Sequence, residues 1–157
     1  FTLPLIMLGL HIIAVAGISY DPKRRAIGRK PLQLAMWIVP ITSLFCGTLI
    51  YTYALGLKLS VNIVVGILLG LLLILLGNYM PKCSQNYTVG IRVPWTLDDE
   101  NNWNATHRFA GWTMIVGGVA ILVLSFLGLF WLYIAVTLLS TLLPVLYSFI
   151  YYIRHKQ

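Results

Sequence analysis

Between Asn78 and Gly111 the chain reads NYMPKCSQNYTVGIRVPWTLDDENNWNATHRFAG, the one long polar passage in a sequence that is 59% hydrophobic and 10% charged. Its residue types can do chemistry. His107 is a candidate general acid or base, Lys82, Arg92 and Arg108 can clamp a phosphate, and Asp98, Asp99 and Glu100 can ligate a divalent cation. The same block can instead form a binding surface, since Arg and Trp, here with Trp95 and Trp103, dominate binding hot spots. Plainer explanations compete with both. Trp95, Trp103, Trp112 and Tyr79 suit an aromatic belt, the basic groups suit snorkelling charges, and the three acids suit the positive end of a helix dipole. Asn78, Asn86 and Thr96 are not belt residues, so composition leaves the functional and the plain reading equally open.

Spacing places these groups on elements. Thr96-Leu97-Asp98-Asp99 resembles a capping box, which predicts a helix starting at Thr96 and running unbroken into the following apolar span. On that helix Trp103, Thr106 and His107 form one stripe and Glu100, Asn104 and Arg108 the next. The expectation is a helix start that displays an aromatic ring, a hydroxyl, an imidazole and a guanidinium at the membrane surface. Upstream, Pro81 disfavours helix at Met80 and ends the preceding span. Gly90 permits a turn or a close backbone approach within NYTVGIRVPWT, and Pro94 keeps Val93 extended and leads Trp95 back to the interface.

The elements that position the block are membrane spans. A mean hydropathy of +0.87 leaves too few charges for a normal wetted surface. Uncharged runs cover Phe1–Tyr20, Leu32–Leu57, Leu59–Met80 and Phe109–Ile153. The first three each match the roughly 20 residues that cross a bilayer core. The last, as one helix, would be about 67 Å long, so it is two crossings with a bend near Gly128. The predicted fold class is all-α, a polytopic membrane helix bundle with five spans in this chain. The whole of 1–157 reads as a single transmembrane helical domain carrying a motif loop at 78–111.

Charge orients it. Lys23, Arg24, Arg25, Arg29, Lys30, Lys82, Arg92, Arg108, Arg154 and Lys156 fall on one side and only Lys58 on the other. By the positive-inside bias, connectors 21–31 and 78–109 and the C-terminus are cytoplasmic, in a multi-pass protein of the cell membrane. This bias, rather than nucleic-acid binding, accounts for the net charge of +7. Phe1 then lies outside. Since it is not a methionine, the reading expects a preceding N-terminal part with one further span, making six in the intact protein. The sequons at Asn86 and Asn104 are read as coincidence on a cytoplasmic loop.

Gly66, Gly70 and Gly77 share a face of the third span and predict close helix contact. Pro40 and Pro144 predict kinks whose freed carbonyls are re-satisfied by Thr42, Ser43, Ser140 or Thr141. His11 is the one ionisable residue well inside a span, but no span holds a carboxylate to partner it, which argues against proton coupling. Cys46 and Cys83 are not expected to meet, and neither a disulfide, a metal site nor a cofactor is predicted.

The run GNYMPK, then NYTVGIRVPWTL, then WNATHRFAG closely resembles the signature of the SdpI-type immunity protein family of Gram-positive bacteria. The pattern is filled by Asn78, Pro81, Lys82, Asn86, Gly90, Ile91, Arg92, Pro94, Trp95, Thr96, Leu97, Trp103, Thr106, His107, Arg108 and Gly111. Cys83-Ser84-Gln85 departs from it, where a more apolar or basic run is expected. The resemblance implies a multi-span protein that protects its cell from a secreted killing peptide and holds a small autorepressor at the membrane. The motif residues Asn78, Pro81, Lys82, Asn86, Gly90, Arg92, Pro94, Trp95, Thr96, Trp103, Thr106, His107 and Arg108 become the candidate partner-binding set.

Three functions follow from this reading. The first is a non-enzymatic immunity and signal-receptor protein whose partners are the lipid bilayer, a secreted peptide toxin and a small repressor at the cytoplasmic face, with no direct nucleic-acid contact. The second is a membrane enzyme acting on a lipid or polyprenyl phosphate, built on His107 and the basic residues. The third is a small transporter or an accessory subunit of a larger membrane complex, with the carboxylate-free spans opposing ion coupling. The first is the expectation, with no catalytic residue assigned.

Overall fold

The computed structural model describes residues 2–23, 27–57 and 59–155. Phe1, Arg24, Arg25, Lys58 and Lys156, which enter the charge and terminus arguments, lie outside them. Helix α1 spans Thr2–Tyr20, α2 Arg29–Ala54 and α3 Val61–Tyr79. A single 3₁₀ turn, Met80–Lys82, closes α3. A short α4, Pro94–Asp98, precedes α5, Glu100–Leu127, and α6, Phe130–His155. There is no strand among the described residues. The protein is an all-α polytopic membrane bundle, with five helices among the described residues long and apolar enough to cross a bilayer.

Helix α5 is the hub, packed on one side against α3 and on the other against α6, while α1 and α2 pair with each other. The α3–α5 contact is made possible by missing side chains. A Cβ on Gly70 would lie 2.8 Å from the Gly118 carbonyl oxygen, and one on Gly118 would lie 2.6 Å from that of Gly70. Gly77 and Gly111 meet in the same reciprocal way, at 2.7 and 2.9 Å. Lipid tails supply no hydrophobic drive between helices, so this backbone-to-backbone dispersion is what holds the pair. The glycine face read from the third span is therefore an internal contact. Leu73, Met114, Ile121 and Tyr133 form the buried apolar core between α3, α5 and α6.

Left-handed Gly128, at φ 70°, turns the chain from α5 into α6, where the sequence predicts the bend. Two expectations are corrected. Pro144 frees the Ser140 carbonyl, and the donor that satisfies it is the Thr113 hydroxyl of α5, 2.9 Å away, a neighbouring helix rather than Ser140 or Thr141. Those two hydroxyls bond Val136 and Thr137 carbonyls of their own helix. Likewise the Thr42 hydroxyl bonds the Ile38 carbonyl, not the Met36 carbonyl that Pro40 releases. The second correction concerns the helix start. Thr96 does not cap the long helix; it lies at the third position of α4, and Asp99 caps α5 by accepting from the Asn101 N–H at 2.8 Å.

Candidate functional site

The polar block folds into a module seated on the end of the α3–α5–α6 bundle. Its loop begins where Pro81 of the 3₁₀ turn rests on Gly111: a Cβ there would lie 2.8 Å from the proline Cγ. Gly111 thereby holds the loop start against α5.

Asn86 organises the loop and is fully buried. Its side-chain oxygen accepts from the Thr88 and Val89 N–H groups at 2.8 and 2.6 Å, and its amide donates to the Ser84 and Val89 carbonyls at 2.8 and 3.0 Å. Four bonds satisfy four loop groups that would otherwise be stranded away from water. Arg92, exposed, donates to the Tyr87 carbonyl and braces the same loop from outside.

Beneath the loop, Trp103 and His107 stack at 4.0 Å with planes 20° apart. The Trp103 indole N–H donates to the Cys83 carbonyl at 2.8 Å. His107 accepts from the Ile91 N–H at its Nε2, at 3.1 Å, and its Nδ1 lies 2.8 Å from the Trp103 carbonyl. Acceptance at Nε2 puts the proton of the neutral ring on Nδ1, facing that carbonyl. Both nitrogens are thus committed to backbone. Gly90, at φ 119°, passes directly over the pair; a Cβ there would collide with His107 Nε2 and approach Trp103 to 3.1 Å.

Thr96, buried, closes the segment Ile91–Thr96: its hydroxyl donates to the Ile91 carbonyl at 2.8 Å and accepts from the Val93 N–H at 3.2 Å. Pro94 is exposed, pre-set for the first turn of α4 after extended Val93. Trp95 packs its ring against Phe149 and Tyr152 of α6, and its indole N–H donates to the Ser148 hydroxyl at 2.9 Å. Thr106 donates to the Asn102 side-chain oxygen at 3.0 Å, and the Asn102 amide donates to the Ser148 carbonyl at 3.1 Å.

The thirteen motif residues therefore separate. Asn86, Thr96, Trp103, Thr106 and His107 are buried, with Gly90 wedged above them and Trp95 half-buried against α6. Asn78, Pro81, Lys82, Arg92, Pro94 and Arg108 are exposed. The expected display of Trp103, Thr106 and His107 at the membrane surface is corrected: that stripe turns inward, because the loop folds back over it and supplies its hydrogen bonds. Of the predicted display only Arg108, beside Asn104, faces out. Lys82 lies 5.1 Å from the Tyr79 ring centre and 3.4 Å from Asn78 Oδ1.

Three contributors escaped the sequence reading. Asp21 in the first connector, 7% exposed, accepts from the Lys23 N–H at 2.8 Å, the Tyr87 N–H at 3.0 Å and the Thr88 hydroxyl. Burial raises its pKa, but those hydrogen bonds, with Arg92 nearby, outweigh that and hold the carboxyl below its ordinary value. Lys23 donates to Gln85 at 3.0 Å, and Gln85 donates onward to the Thr96 and Leu97 carbonyls at 3.0 and 2.7 Å. Buried Asn102 is the third. A polar residue four before Thr106 was the only available signal for it, and Asp21 had none beyond being a carboxylate among basic neighbours. Asp98 and Glu100 are exposed, and no cluster of three metal-ligating groups occurs among the described residues.

Residues 82–148 match a family model described as SdpI/YfhL protein family, a stretch that begins at the module and ends on Ser148, its anchor in α6. Over 159 residues the chain is 29% identical to Immunity protein SdpI of Bacillus subtilis (strain 168), covering 97% of this chain and 73% of that protein. No solved structure matches. With the signature residues gathered into one folded module on a five-helix membrane bundle, this chain is similar to the SdpI/YfhL protein family over residues 82–148.

Proposed function

We propose that this protein is a membrane immunity protein that protects its cell from a secreted peptide toxin, and that the polar module is a non-catalytic recognition element on the cytoplasmic face. The observation that carries this reading is the likeness to an immunity protein along 97% of the chain. The geometry of the module supports it. The residue best suited to acid–base catalysis, His107, has both ring nitrogens engaged by backbone, and its ring is stacked and covered. That arrangement favours a structural histidine over a reacting one and leaves the phosphate-processing alternative without a base facing a substrate.

In this reading the buried residues Asn86, Gly90, Thr96, Trp103, Thr106 and His107 give the module its shape, and the exposed Arg92 and Arg108 offer contacts to a protein partner. Rigid support behind exposed guanidinium groups lowers the entropy cost of binding. A small repressor held at the cytoplasmic face is the partner of matching location. Trp103, fully buried, is withdrawn from the contact set. The test is expression in a toxin-sensitive strain followed by survivor counts. Protection by the wild-type chain is expected, and unchanged killing by every related peptide overturns the reading.

A further inference from the structure

Helix α2 stands away from α3 at the end that carries the module, and the gap holds two adjoining cavities. The inner one, about 280 Å³, is lined by Leu34, Ala35 and Ile38 of α2, by Leu76 and Met80, and by Gly90 of the module loop. The outer one, about 350 Å³, is lined by Lys30, Gln33 and Trp37 of α2 and by Leu75 of α3. Leu34 and Tyr79 wall both. Each volume is near the lower end of the roughly 300–1,000 Å³ usual for a ligand site.

The two cavities differ in chemistry in a definite order. The inner is walled mostly by apolar side chains, with Cys83 and Thr88 where it meets the module; the outer carries an ammonium, an amide and two amphipathic rings of the kind that settle at headgroup depth. Lys82 adds a second ammonium beside Tyr79. Neither lining contains a carboxylate. An occupant needs an apolar chain at one end and a negative charge at the other. We propose that this crevice is a binding site for one anionic phospholipid, with an acyl chain between Leu34, Ile38 and Leu76 and its phosphate between Lys30 and Lys82. The lipid then wedges the α1–α2 pair against the module and the α3–α5–α6 bundle, where the polar links among the described residues come from Gly17, Asp21 and Lys23: the Asp21 bonds to Tyr87 and Thr88, the Thr88 hydroxyl to the Gly17 carbonyl, and Lys23 to Gln85 and the Tyr87 ring.

Each lysine near an anionic surface contributes roughly a fivefold preference, so the pair predicts about 30-fold selectivity over a zwitterionic lipid. The test uses the full chain purified in mild detergent and native mass spectrometry with added phosphatidylglycerol, phosphatidylcholine or glycerol phosphate. One phosphatidylglycerol per chain is expected to be retained about 30-fold over phosphatidylcholine. Glycerol phosphate should not displace it. The Lys30→Gln/Lys82→Gln pair should equalise the two lipids, and Ala35→Trp should abolish retention of both by filling the inner cavity. A second measurement needs no variant: phosphatidylglycerol with a photoreactive tail should attach to Leu34, Ile38 and Leu76. Equal retention of the two lipids by the wild-type chain, displacement by glycerol phosphate alone, or adducts spread over the outward faces of α5 and α6 would each overturn the site. None of these readouts depends on toxin protection, so failure here leaves the immunity reading standing and the reverse also holds.

Discussion

Gly90 carries the sharpest prediction, because its backbone is both in a left-handed conformation and in contact with two buried rings. Gly90→Ala places a methyl where His107 Nε2 now lies and holds a side chain at φ 119°. The backbone strain costs on the order of 1–3 kcal/mol. Pushing His107 aside also strands the Ile91 N–H, for about 1–3 kcal/mol more. A total of about 3 kcal/mol raises the population of the opened module about 100-fold. Cys83 reports that opening: it is 4% exposed and its carbonyl is held by Trp103, so maleimide labelling in a Cys46→Ser background measures module stability. Labelling of Gly90→Ala should be about 100-fold faster than wild type. The His107→Ala background separates the two costs. There the collision with the ring is gone, the N–H is already unpaired, and Gly90→Ala should accelerate labelling only about tenfold further through the remaining strain. Equal acceleration in both backgrounds would refute the claim that Gly90 exists to clear His107.

Further outcomes are expected. Asn86→Ala removes four loop hydrogen bonds at a buried position and should cost about 2–4 kcal/mol of module stability, read as faster Cys83 labelling with α-helical circular dichroism retained. Thr113→Val leaves the Ser140 carbonyl without its cross-helix donor and should lower the thermal stability of the bundle by about 1 kcal/mol, while Thr141→Val should have less effect. The Asp21 carboxylate is stabilised in the folded state, so its contribution is present above the ordinary aspartate range, about pH 4, and is lost as pH falls through its lower folded value. Acid titration of tryptophan fluorescence should show a loosening step below pH 4 that Asp21→Asn removes. Gly70→Leu should separate α3 from α5 and abolish folded protein in membranes, whereas Gly9→Leu, where a Cβ meets nothing within 4 Å, should be tolerated.

The spans were legible because the bilayer imposes one rule on every residue it touches, and uncharged runs of the right length obey it. The Gly128 bend and the Gly66–Gly70–Gly77 face were legible because only glycine readily takes the left-handed φ of the first and leaves room for the close helix approach of the second. The inside of the module was not. Helical period assigns Trp103, Thr106 and His107 to one stripe, but which stripe turns inward depends on a loop returning over it, and that closure is set by Asn86 and Gly90 bonding and packing across distances the period does not encode. The break at Asp99 was hidden because Thr96 and Asp99 are both competent caps, and the Ile91 carbonyl, supplied by the loop, claims the Thr96 hydroxyl. Asp21 joins residues 66 and 67 positions later in sequence, a pairing no local pattern announces.

The account rests on the module being a preformed recognition surface inside the cell, its buried residues giving shape and its exposed arginines giving contact. Toxin survival with Arg92→Ala/Arg108→Ala protein tests it most directly, measured alongside membrane level, Cys83 labelling, and external labelling at the exposed position Asn104→Cys in intact cells. The account predicts reduced survival at unchanged membrane level and near-normal Cys83 protection, with Asn104→Cys inaccessible from outside. Full protection without both arginines, or an Asn104→Cys thiol labelled from outside, would contradict it.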